Sequence, residues 1–119
     1  MTILIKKHEQ MQREPLPNCH GGEGALDWTT VLDSRDIQDR RLHFIHDDIL
    51  PPGVSIGVHP HDTEEEYYYV LAGRGVMILD GERFEVGPGD IAAVFPGGSH
   101  GLENTSAEDL RIVVIGLAP

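Results

Sequence analysis

One cysteine, Cys19, stands in a chain of 119 residues. No intrachain disulfide and no four-cysteine zinc site can therefore form, and a lone thiol fits a reducing compartment. Positive charge is scarce as well. Nine Lys and Arg face twenty Asp and Glu, for a formal net charge of −11. Nucleic acid and anionic membrane surfaces would both repel such a chain, and the single pair Lys6-Lys7 does not reverse the balance. No apolar run approaches the ~20 residues of a membrane span, and the first ten residues, MTILIKKHEQ, lack the apolar core and cleavage site of a signal peptide. The expectation is a cytoplasmic protein with neither nucleic acid nor membrane among its partners. Helical pattern is also missing, since no segment sustains a 3.6-residue apolar period.

What the chain does have is many short apolar runs cut by Gly and Pro. Residues 1–24 read as an arm, with a short strand at Ile3–Ile5 and a polar, irregular stretch after it. His8, Cys19 and His20 fall in that stretch and read as loop residues. WTTVL (28–32) reads as a strand, SRDIQDRR (34–41) as a loop, and LHFIHDDIL (42–50) as a strand with Phe44, His46, Asp48 and Leu50 on one side. Then come SIGVH (55–59), EYYYVLA (66–72), GVMILD (75–80), ERFEV (82–86), DIAAVF (90–95), HGLEN (100–104) and LRIVVIGL (110–117). Asp80-Gly81 is the sharpest hairpin signal between them. Short strands with this punctuation mean an all-β sandwich or barrel. The expected organisation is one domain, with an N-terminal arm and first strands over 1–40 and a β-barrel over 41–119.

Chemistry concentrates in GVSIGVHPHDTEEEYYYVLAG (53–73). In an extended strand, residues two apart point the same way, so His59 and His61 aim two imidazoles at one place, and Pro60 between them keeps the segment extended. Neutral imidazoles with a carboxylate suit Mn, Fe, Ni, Co, Cu or Zn. Chemistry alone does not choose among Glu64, Glu65 and Glu66, because an isolated glutamate run reads as a solvated turn. His100 alone reads as a hydrogen-bonded core residue. The pattern has no second copy, so one site is expected.

The spacing carries a resemblance. Gly53, five residues, His59, one residue, His61, four residues, Glu66, six residues and Gly73 resemble the first motif of the cupin superfamily, and the distance to Gly73 selects Glu66. Gly89, five residues, Phe95-Pro96-Gly97, two residues, His100, three residues and Asn104 resemble the second motif. The departure is Phe95, where the family pattern usually has proline. The resemblance covers about residues 42–117, as in small single-domain cupins. It implies a jelly-roll β-barrel holding one divalent metal through His59, His61, Glu66 and His100. It also implies dimers built by strand or arm exchange, and a structural role for Asn104.

Four such ligands on an octahedral ion leave two positions for water, dioxygen or substrate. The expectation is a metalloenzyme acting on a small organic molecule, with dioxygenase, decarboxylase and isomerase chemistry all compatible. The alternative is a non-catalytic module that binds or senses a small molecule. Tyr68 shares parity with Glu66, and Phe44 or His46 can enter the same cavity from the neighbouring strand, which makes these three the pocket candidates. Arg111, alone among apolar residues, reads as an outward cation at a wet edge or dimer rim, or as an anion clamp. Val54, Ile56 and Val58 read as a second apolar face opposite His59, and with strand 110–117 they suggest a homodimer with the arm crossing over.

Overall fold

The computed structural model describes residues 2–37 and 41–119. Among them are ten strands: β1 (Gln12–Pro17), β2 (Ala25–Asp33), β3 (Leu42–Leu50), β4 (Ser55–Pro60), β5 (Glu65–Ala72), β6 (Gly75–Leu79), β7 (Glu82–Val86), β8 (Ile91–Val94), β9 (Ser99–Glu103) and β10 (Leu110–Leu117). The only helical pieces among the described residues are 3-10 turns at His8–Gln10 and Cys19–Gly21. The strands make a six-stranded sheet in the order β1-β2-β3-β10-β5-β8 and a four-stranded sheet in the order β4-β9-β6-β7. Every pairing is antiparallel. This is the all-β sandwich expected from the strand pattern, in the jelly-roll form that the family resemblance implies. Its tightest hairpin is Asp80-Gly81, where φ is 48° and 82° and Leu79 faces Glu82 across the turn. Two left-handed residues in a two-residue loop match the right-handed strand twist.

Three sequence readings need correction. Ile3–Ile5 is unpaired, and Ile3 and Ile5 are 88% and 80% exposed. The stretch read as irregular contains β1, which pairs with β2 from Gln12↔Thr30 to Pro17↔Ala25. Pro15 and Pro17 disguised it. A strand at a sheet edge needs no donors on its open side, so prolines are tolerated there. Third, Val54 and Ile56 are buried in the core and Val58 is 53% exposed. A register shift between Ile56 and His59 in the β4–β9 pairing turns Ile56 and His59 to the same interior, as a bulge does by adding one residue to one strand. Within the loop read at 34–41, Gln38, Asp39 and Arg40 lie outside the described residues.

Along each inward row the side chains change from aliphatic to polar. On β3 the row runs Leu50, Asp48, His46, Phe44; on β5, Val70, Tyr68, Glu66; on β9, Leu102, then His100. Leu50, Leu102, Leu110 and Ile112 are 0% exposed and form the dry end, each worth roughly 1.5–3 kcal/mol of hydrophobic stabilisation. Asn104 closes that end. Its Nδ2 donates to the carbonyls of Leu50 and Glu108 at 2.8 and 2.7 Å, and its Oδ1 accepts from the Ser106 amide and hydroxyl. It joins three chain segments, the structural role expected of it. The other end of the interior collects the polar side chains.

Candidate metal centre and its cavity

Backbone pairing builds the polar cluster. His59 on β4 lies directly across from His100 on β9. His61 follows β4, and its backbone is held to the Pro96–Gly98 turn by two hydrogen bonds, His61 N–H to Gly98 O at 2.9 Å and Gly97 N–H to His61 O at 2.7 Å. Phe95 is 55% exposed, so its departure from the proline pattern leaves the cluster untouched. Glu66 comes from β5 on the opposite sheet and is 8% exposed. Its neighbours turn away. Glu65 Oε1 lies 3.7 Å from Arg41, and Glu64 Oε2 lies 3.7 Å from His43.

The four side chains can each place one donor atom within 4.8 Å of all the others. His100 Nε2 lies 3.0 Å from both His61 Nε2 and His59 Nε2. Glu66 Oε1 is 3.4 Å from His100 Nε2, and Oε2 is 3.6 Å from His61 Nε2. Two nitrogens at ~2.1 Å from one ion and at right angles sit about 3.0 Å apart, so the spacing fits cis positions around a single metal. The tautomer of His59 fits too. Gly57 O is 2.7 Å from His59 Nδ1. A carbonyl only accepts, so Nδ1 carries the hydrogen and Nε2 presents its lone pair to the cluster. Burial first, with the fields of His20 and His100 adding, holds His59 down at about 4 despite its bond to Gly57, so the ring is neutral at pH 7. Burial pushes Glu66 up, but hydrogen bonding to His100 and the fields of the three histidines outweigh it, and its carboxyl ends below the usual value. Three imidazoles and a carboxylate are a donor set that suits a divalent transition ion.

Beside Glu66 lies a cavity of about 130 Å³. Phe44, His46 and Tyr68 line it, on the side that strand parity assigns to them. Tyr68 also packs 4.6 Å from the His100 ring, and Phe44 stacks on His46 at 4.3 Å. Burial pushes His46 down to about 4. Arg111 is elsewhere. It pairs with Asp47 on the outer face of the sheet, Nε to Oδ1 at 2.9 Å, and clamps no interior anion.

The remaining walls come from residues that sequence reasoning did not assign to the pocket, although parity had put Asp48 on the side of Phe44 and His46. Leu16, Cys19 and His20 of the arm, Trp28 of β2 and Asp48 of β3 complete the lining. His20 stacks on His59 with ring centroids 3.5 Å apart and planes 11° from parallel. Its own backbone is left-handed at φ 49°, an uncommon conformation for histidine. Close backbone approach seats this part of the arm. A Cβ on Gly57 would overlap the His20 carbonyl, and one on Gly22 would overlap the Ser55 carbonyl. Reading Cys19 and His20 as plain loop residues was therefore incomplete. The available signal was the run Asn18 to Gly22, whose glycines permit close packing as readily as flexibility.

Two antiparallel sheets with three imidazoles and a carboxylate converging at one end define a jelly-roll protein with a metal-type donor cluster. The cupin domain family matches residues 47–116, and the chain belongs to the cupin family. It is similar to the oxalate-binding protein of Thermotoga maritima, with 31% identity over 114 residues, 96% of this chain and 93% of that one. Among solved structures, a predicted oxalate decarboxylase of Thermotoga maritima aligns with a TM-score of 0.90 and 28% identity, over 98% of this chain and 100% of that one. The polyketide cyclase RemF of Streptomyces resistomycificus aligns with a TM-score of 0.79 and 24% identity over 98% and 81%, a likeness of fold alone.

Proposed function

We propose that this cupin holds one divalent transition ion through His59, His61, Glu66 and His100 and uses it to bind a small carboxylate of the oxalate kind. The convergence of the Nε2 atoms at 3.0 Å, with the His59 lone pair turned inward, carries the reading. The names of the similar Thermotoga maritima proteins support the ligand class. So does the cavity, whose volume of about 130 Å³ is well below the ~300 Å³ at which drug-sized pockets begin. The ion, one of Mn, Fe, Ni, Co, Cu or Zn, would act as a Lewis acid toward the ligand oxygens. Phe44, His46 and Tyr68 bound the ligand space.

Turnover of that ligand, by decarboxylase, dioxygenase or isomerase chemistry, is the second reading. It is favoured by Asp48, a buried carboxyl in the cavity wall held near neutrality at about 7, where an acid can move protons in either direction. Elemental analysis of the purified protein, followed by calorimetry with oxalate on loaded and chelator-stripped samples, tests the binding reading. About one transition ion per chain and oxalate binding that vanishes on stripping are expected. Oxalate bound equally by both samples would refute it. Product analysis of the loaded sample separates binder from enzyme.

A cytoplasmic homodimer completes the proposal. The outward face of the larger sheet is apolar over Ile45, Ile49, Val113 and Ile115 and continues into Ile91, which is 63% exposed. Ile3 and Ile5 on the arm have no apolar cover of their own, which fits an arm lying across a second copy. Light scattering at micromolar concentration checks the state, and a monomer mass counts against it.

A further inference from the structure

Two residues that line the cavity carry buried polar atoms whose needs the fold does not meet. Trp28 Nε1 and Asp48 Oδ1 are both buried, and neither has a hydrogen-bond partner among the described residues. Trp28 and Asp48 are register partners on β2 and β3, so their side chains leave the sheet on the same face, and both line the cavity that Glu66 borders. Asp48 is 3% exposed. Buried donors and acceptors are nearly always paired, and leaving one unpaired carries the full cost of its desolvation. Two such atoms on wall residues of one small cavity, which Glu66 of the metal-type cluster also borders, mark the second end of a ligand site.

Charge decides which end of a ligand fits there. On its own strand Asp48 has His46, whose Nδ1 is 4.0 Å away and whose ring is neutral at pH 7, with its value held at about 4. Asp47 points to the outer face and is paired with Arg111. From β2, Asp27 is engaged by Arg13 of β1 at 2.9 Å. From β10 the residue opposite is Ile112. From β5 come Glu66 and Tyr68, and from the arm Cys19 and His20. Burial holds the Cys19 thiol up at about 11 and keeps Tyr68 well above its ordinary value, so both are uncharged. Among the described residues, no cation faces Asp48. Burial first pushes it up to about 7, against the backbone of Thr29 and with the fields of Asp47, Asp27 and Glu66 adding. A ligand anion in the cavity would push it further in the same direction.

We propose that Trp28 Nε1–H and the neutral carboxyl of Asp48 form a paired donor site that accepts the far oxygens of a small acid whose near oxygens meet the metal cluster. The inference rests on the metal-bound carboxylate reading above and deepens it. It names the class as a short dicarboxylate or 2-oxo acid with oxygens at both ends. It also makes Asp48 and Trp28 specificity-determining residues, contributed from outside the two histidine-bearing segments. Because the neutral carboxyl is the binding form, a bound anion takes up a proton at Asp48, and affinity falls as pH rises through about 7 and above.

The test uses metal-loaded full-length protein, oxalate as the probe, and calorimetry at pH 6, 7 and 8. Asp48→Ala and Trp28→Phe are each expected to weaken oxalate about tenfold, the cost of one unmade buried hydrogen bond, with metal content unchanged. Asp48→Asn keeps a neutral donor. It is expected to bind like wild type at pH 6, to lose the pH dependence, and to exceed wild type at pH 8. Circular dichroism confirms that each variant is folded, and Trp28→Phe keeps the ring in place if Asp48→Ala is not folded. Undiminished binding by Asp48→Ala and Trp28→Phe overturns the donor pair while leaving the metal reading intact, as does an Asp48→Asn variant with wild-type pH dependence. Failure of loaded wild type to bind oxalate overturns the ligand class, and the donor pair with it.

Discussion

The metal cluster and the cavity wall lie side by side in one interior, yet they are made in different ways. The cluster draws His59, His61, Glu66 and His100 from strands β4, β5 and β9 and the residue after β4, with backbone pairing putting His59 opposite His100. The wall draws Cys19 and His20 from an arm turn, Trp28 from β2 and Asp48 from β3. Cluster donor atoms gather within 4.8 Å of one another, with His100 Nε2 3.0 Å from the Nε2 atoms of both His59 and His61. Wall atoms are spread around a space and two of them lack partners. The difference separates holding an ion from choosing a ligand: one set is complete in itself, and the other is completed only by something that enters the cavity. The two should therefore fail independently.

The largest effect expected is all-or-none and confined to the cluster. His59→Ala combined with His100→Ala removes two of the three imidazoles, and elemental analysis should fall from about one ion per chain to none, because three protein ligands are the usual minimum for a firmly held catalytic ion. The wall should stay closed, with Cys19 as slow to react as in wild type. A double variant that keeps its ion would sink the assignment of the cluster.

Next in size is a pH effect confined to the wall. In metal-free protein, Asp48 has a folded value of about 7 against an ordinary 3.8. A raised folded value means that its stabilisation is fully present below about pH 4 and is lost as pH rises through about 7. Three units correspond to ~4 kcal/mol. His46 acts with the opposite sign, since its lowered value costs stability as pH falls from 6.5 toward about 4. The comparison of wild type with Asp48→Asn cancels that contribution. Urea unfolding should show the variant gaining on wild type by up to ~4 kcal/mol between pH 4 and pH 8. A difference that stays flat over this range would mean that Asp48 is ionised in the folded protein at all of them.

The same contrast explains what could be read in advance. Strands β3 to β10 were legible as short apolar runs largely separated by Gly and Pro breaks, and Asp80-Gly81 even specified its turn. Phe44, His46 and Tyr68 were legible by parity, since β3 and β5 run regularly at those positions. Glu66 was not legible from chemistry, because three adjacent glutamates look alike; the motif spacing to Gly73 picked it, and in the fold Glu64 lies near His43 and Glu65 near Arg41. Parity misplaced Val58, because an added residue in β4 resets the alternation before His59. β1 was hidden by prolines that an edge position tolerates. The wall was hidden for a deeper reason. Whether Cys19 and His20 face an interior depends on the arm lying against β4, and nothing local in a Gly- and Pro-rich segment reports that contact, while Trp28 faces in through its register with Asp48 across β2 and β3.

The arm contact is also where the smallest of these effects should appear, and where cluster and wall can be pulled apart. Gly57 sits under the His20 carbonyl so closely that a methyl group would overlap it. On either side, the Ser55 N–H donates to Glu23 O and the Glu23 N–H to Ser55 Oγ, both at 2.9 Å. Gly57→Ala must therefore move the arm or the strand, at about 1–3 kcal/mol by analogy with overpacked cores. The strand is held by β9 and the arm mainly by this contact and β1, so the arm should yield. Denaturant unfolding gives the cost, and iodoacetamide reports which side moved. In wild type the Cys19 thiol is held up at about 11 by burial and by the fields of Asp48 and Glu66, so alkylation at pH 8 should be slow. Lifting the arm restores water to the sulfur, lowers that value and should speed alkylation at least about tenfold. Metal content should hold, because Gly57 still offers its carbonyl to His59 Nδ1. A variant that loses its ion while Cys19 stays protected would reverse the assignment, making the stack of His20 on His59 a support of the cluster instead of a wall of the cavity.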